Sequence, residues 1–80
     1  MAAKATPAMT APPWSPYLRQ TYLQRLERLC RIRRYGQDGC GHELDDVALR
    51  MVDNAIEATI RDCWDVGAAG AAARIKEATL

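Results

Sequence analysis

The chain predicts an all-α fold: an antiparallel hairpin of two long helices, a short C-terminal helix packed on it, and a flexible N-terminal tail. Three observations carry this expectation. Two separate stretches repeat their apolar residues at the helical period, three glycines (36, 39 and 41) part them, and nothing alternates with the period of two that a strand requires. The chain has 80 residues and is built as one domain, because it is too short for two independent cores.

Residues 1–14 read as the tail. Threonines, alanines and Pro7, Pro12 and Pro13 bury too little apolar surface to offset the entropy of ordering them. Trp14 is the exception, a large ring expected to fold back on the helices or to enter a partner, the first being the simpler expectation. Ser15-Pro16 then starts the first helix, with a hydroxyl to cap it and a proline at its first position. Leu18, Tyr22, Leu26, Leu29 and Ile32 share one stripe, flanked by Leu23 and Cys30, and Gly36 ends the helix, giving the range 16–35.

Gln37 to His42 form a loop. The second helix is expected over 43–65, with Glu43, Asp45 and Asp46 in its first turn, where carboxylates favour the positive end of the helix dipole. Its apolar stripe takes in Leu44, Val47, Ala48, Met51, Val52, Ala55, Ile56, Thr59 and Cys63, and Leu49 and Ile60 widen it to about half the wheel. Gly67 ends it. Residues 68–79 have enough alanine for a third helix, although Gly70 weakens that helix by roughly 1 kcal/mol relative to alanine. With only Ile75 and Leu80 to bury, it depends on the other two.

A net charge of +1 conceals a segregation. The first helix carries six arginines (19, 25, 28, 31, 33, 34) against Glu27, whereas 43–65 carries seven acids against Arg50 and Arg61. In a hairpin with a short turn these signs face each other. The expected pairs are Arg19 with Asp62, Arg25 with Asp53 or Glu57, and Arg33 and Arg34 with Asp45 and Asp46. Asp62 falls on the middle of the second helix's apolar stripe, which implies either a buried pair or a frayed helix end. Charge complementarity between helices outweighs nucleic-acid binding as an account of the arginines. They point nearly all round the wheel, no lysine supports them, and the domain is not basic overall.

Composition excludes several classes. No segment approaches the ~20 apolar residues of a membrane span, residues 1–13 lack the apolar run of a secretory signal, and no arginine precedes Arg19 as a transit peptide would require. Three unevenly spaced cysteines fit a reducing cytoplasm better than a disulfide framework. Cys40-Gly41-His42 is the one chemically inviting group. Zinc needs at least three protein ligands, and Cys63 stands roughly 30 Å along the hairpin from His42. Cys30, beside the apolar stripe, has the place of an ordinary buried thiol. A metal or thiol sensor at Cys40 and His42 is therefore the weakest functional expectation, and neither catalytic residues nor a cofactor are expected.

The apolar surface exceeds what one partner helix can cover, which points to self-association as a dimer, or to another protein subunit. The expected function is a non-enzymatic protein–protein interaction module, a subunit, adaptor or regulator. Its candidate contact residues are Trp14, Arg28, Arg31, Leu49, Ile60 and Trp64. A nucleic-acid-binding regulator using the arginine helix is the alternative.

Overall fold

The computed structural model describes residues 16–80, so the expectations for 1–14, Trp14 among them, lie outside the described residues. The fold is the expected one. Helix α1 spans Pro16–Tyr35, α2 Asp46–Asp65 and α3 Ala69–Thr79, and none of the described residues belongs to a strand longer than one isolated bridge.

Local chemistry sets each boundary. Gly36 takes a left-handed φ of 69° and donates its N–H to Ile32 O at 2.8 Å, which closes α1. The second helix starts three residues later than expected. Asp45 is its N-cap, in extended backbone, and its Oδ1 accepts the Ala48 N–H at 2.8 Å. Residues 43–45 stay in the turn because Gln37 stands opposite Glu43 in that bridge and Leu44 N–H donates to Gly36 O at 2.8 Å. Gly67, with φ 73°, ends α2 in a Schellman arrangement. Its N–H reaches Trp64 O at 3.0 Å, and the Ala68 N–H reaches Cys63 O at 2.7 Å.

The core consists of Leu26 and Cys30 from α1, Ile56 and Cys63 from α2, and Val66, Ala68 and Ala72 from the following turn and α3. Leu18, Tyr22, Leu23, Leu29, Val52, Ile60 and Ile75 pack around it, half-buried. Thr59 is buried with them, and its hydroxyl is satisfied by donation to Ala55 O at 2.7 Å. Helix α1 is the central element, touching both α2 and α3. Arg34 Nη1 donates to Thr79 O at 3.2 Å, so the last turns of α1 and α3 meet and the two helices run in the same direction. That dual contact explains why Leu26 and Cys30 are the most buried residues of α1, while Ile32, on the other side of the expected stripe, is only half-buried.

The register corrects the expected charge pairs. Asp62 pairs with Arg25 at 4.0 Å rather than with Arg19, and Asp53 pairs with Arg33 at 2.8 Å rather than with Arg25. Arg33 is thereby withdrawn from Asp46. Every shift is about two helical turns in the same sense. The cause is the turn: residues 36–45 fold as a small bridged loop beyond the end of α1, so α2 begins past Tyr35. With Asp53 opposite Arg33, the residues of α2 before about position 51 lie past the end of α1. Val47 and Met51, expected on the buried stripe, are exposed for that reason. Asp62 does pair with an arginine, one of its two expected outcomes, but the pair is not buried. Its side chain is 43% exposed and that of Arg25 50%, so this pair lies at the rim of the seam, where it contributes about 0–1 kcal/mol.

Candidate functional site

Two hollows lie on opposite kinds of surface. The first is an open depression of ≈ 440 Å³ along α2, lined by Glu57, Ile60, Arg61, Trp64 and Asp65. These positions recur at intervals of three and four and so share one helical face. Ile60 is half-buried, and its far side leans on the core. Trp64 is 67% exposed, a large ring left in solvent on a regular helix. Glu57, Arg61 and Asp65 make no ion pair among the described residues. The face is thus an apolar pair framed by free charges of both signs.

The second hollow, ≈ 350 Å³, lies between the end of α1 and the turn. It is lined by Arg28, Arg31, Ile32 and Tyr35 on one side and Gln37, Asp38 and Gly39 on the other. Arg31 leans back to Glu27 at 3.1 Å. Arg28 has no ion pair among the described residues. Asp38 builds the turn wall. Its Oδ1 accepts the N–H of Cys40 at 2.8 Å and of His42 at 3.0 Å, and its Oδ2 stands 3.2 Å from His42 Nδ1. The backbone bond from His42 chiefly, and that from Cys40, hold the Asp38 carboxyl below its ordinary 3.8, because each favours the ionised form. An aspartate bonding the amide two residues on is the recurrent Asx turn. Asp38 thus organises a loop that the glycines alone only permit.

The candidate contact residues sort into these places. Ile60 and Trp64 come together on the α2 face, Arg28 and Arg31 at the α1 hollow, and Leu49 is half-buried apart from both. Sequence reasoning missed the framing set of Glu57, Arg61 and Asp65, whose spacing was visible but whose lack of partners depended on register. It also missed the role of Asp38, which its place before Gly39-Cys40-Gly41-His42 signals. Among the described residues, no three His, Cys, Asp or Glu side chains gather as a metal site would require. No helix of these residues is long and apolar enough to cross a membrane.

All three cysteines are free: Cys40 is exposed, Cys30 and Cys63 fully buried. Burial pushes both buried thiols up from the ordinary 9.0; Asp62 adds to the rise at Cys63, while Lys76 opposes it at Cys30. A thiol reagent at pH 8 is therefore expected to modify Cys40 at once and the other two only after denaturant is added. The raised values also fix a sign. The stabilisation they represent is complete below pH 9.0, where unfolded thiols are neutral, and is lost as pH rises toward and through the folded values. Prompt native labelling of all three cysteines would contradict this packing.

Comparison with protein family models, curated proteins and solved structures found no match to this chain.

Proposed function

We propose that this protein is a non-enzymatic, self-associating helical interaction module whose contact surface is the Ile60–Trp64 face of α2. The observation that carries the reading is the exposed Trp64 beside Ile60, framed by Glu57, Arg61 and Asp65 without partners of their own. Tryptophan is among the residue types on which binding energy concentrates once they are buried in an interface.

The charge pattern favours a second copy of the chain as the occupant. When two α2 helices pair antiparallel about a two-fold axis near position 62, Ile60 of one copy meets Trp64 of the other. The same axis brings Arg61 beside Asp65 of the other copy, twice over. Such rim pairs set register and partner choice more than affinity. Free cysteines suit a reducing compartment such as the cytoplasm. Nucleic-acid binding draws less support, since four of the six arginines of α1 are already engaged within the chain, Arg25, Arg31 and Arg33 in ion pairs and Arg34 with Thr79 O.

Light scattering on the purified protein tests the reading, with an expected mass of twice 8.9 kDa. Trp64→Ala is expected to weaken the dimer about 30-fold, as loss of a central aromatic anchor does. Arg61→Glu alone should weaken it, and adding Asp65→Arg should restore it. A monomer at millimolar concentration would end the proposal. Binding to DNA or RNA that falls steeply with salt would replace it by the nucleic-acid reading.

A further inference from the structure

The hollow at the end of α1 plays no part in that association, and its chemistry points elsewhere. It is lined by Arg28, Arg31, Ile32 and Tyr35 of α1 and by residues 37–39 of the turn, and most of that lining is apolar. Asp38 holds that turn through three contacts within it, so the wall is formed before anything binds. Of the charges on the lining, Arg31 already has Glu27, and Asp38 stays negative with its Oδ1 turned to the N–H groups of Cys40 and His42, so a bound anion must sit on the Arg28 side, away from that carboxylate. Arg28 remains, a full positive charge on the lining of a largely apolar recess that Gly39 also lines, and the Gly39 N–H has no acceptor among the described residues. The negative end of the α1 dipole lies nearby, but Arg33 and Arg34 occupy its last turn and offset it.

We propose that this hollow binds a carboxylate carried on an apolar body, with the body against Ile32 and Tyr35 and the carboxylate between the Arg28 guanidinium and the Gly39 N–H. Guanidinium suits a carboxylate because it offers paired N–H donors in a planar fork. A largely apolar recess of this volume, open to solvent, lies at the small end of the range that small-molecule sites occupy. A bare inorganic anion would leave the apolar wall unused, and a neutral aromatic would leave Arg28 unpaired.

Titration of the isotopically labelled full chain with phenylacetate, followed by amide NMR, decides the matter. The expected result is saturable shifts confined to Ile32, Tyr35 and Gln37–Gly39, with a dissociation constant of about a millimolar. Arg28→Gln, an exposed position whose change leaves the core alone, is expected to weaken binding about five- to tenfold. Arg19→Gln, another arginine without an ion pair but near the start of the helix, should leave binding unchanged. Phosphate and benzyl alcohol, each carrying half of the chemistry, should bind at least about fivefold more weakly than phenylacetate. Shifts that never saturate, equal binding of phosphate or of benzyl alcohol, or indifference to Arg28→Gln would each overturn the assignment. Because Trp64 takes no part in this site, the Trp64→Ala monomer should bind phenylacetate as the parent does.

Discussion

Leu26→Ala is expected to cost about 3–4 kcal/mol, a quarter or more of what a domain of this size has in total. Leu26 is fully buried, and it is the one large aliphatic side chain that α1 buries completely, on the helix that touches both others. Removing its three outer carbons loses their transfer energy and opens a cavity. Its neighbours are Ile56, the thiols and two alanines, on helices already in contact, so little remains that could swing into the space. A domain of this length has a total stability of about 4–12 kcal/mol. The midpoint of thermal unfolding should fall by roughly 12–32 °C, at 4–8 °C per kcal/mol for a domain of this size. The same change at Leu18, half-buried in the first turn of α1, is expected to cost far less. A loss below about 1 kcal/mol at Leu26, measured by chemical denaturation, would show that the core is centred elsewhere.

Gly67→Val should be the most damaging change to the chain's path. Glycine is needed there for its conformation: at φ 73° a side chain costs about 1–2 kcal/mol, and a β-branched one more. The two bonds of the Schellman turn, to Trp64 O and Cys63 O, depend on that conformation, as does the return of Ala68 and Ala72 to the core. We expect a loss of about 2–3 kcal/mol, with α3 opening ahead of the α1–α2 pair. Amide exchange over residues 70–79 would read that order. Gly67→Asn should retain most of the stability, since asparagine tolerates the left-handed region. Gly70→Ala makes the opposite contrast. That glycine is helical and exposed, and an added Cβ would sit 3.7 Å from Arg74 Nη1, an ordinary contact, so up to about 1 kcal/mol is gained. Equal effects at both glycines would mean that composition rather than conformation governs this segment.

These contrasts also divide what was legible in the sequence from what was not. The three helices and the points where the first two stop were legible because the signals are local, whereas the start of α2 was misplaced by three residues. Gly36 and Gly67 take positive φ where they were expected to end helices, and the apolar period marks the helical segments. The candidate contacts Ile60 and Trp64 could be named, but their common face with unpaired Glu57, Arg61 and Asp65 could not, because partners belong to the assembled bundle.

By itself, then, the sequence determined that this chain makes helices, how many, and where each one stops, since those outcomes depend on bonds spanning a few residues. Tertiary structure alone decided how far α2 slides along α1, and with it which arginine meets which aspartate and why Val47 and Met51 face solvent. An exposed ion pair contributes about 0–1 kcal/mol, whereas burying side chains such as Leu26 and Ile56 contributes about 1.5–3 kcal/mol each. The charges therefore settle wherever packing and the bridged turn put them.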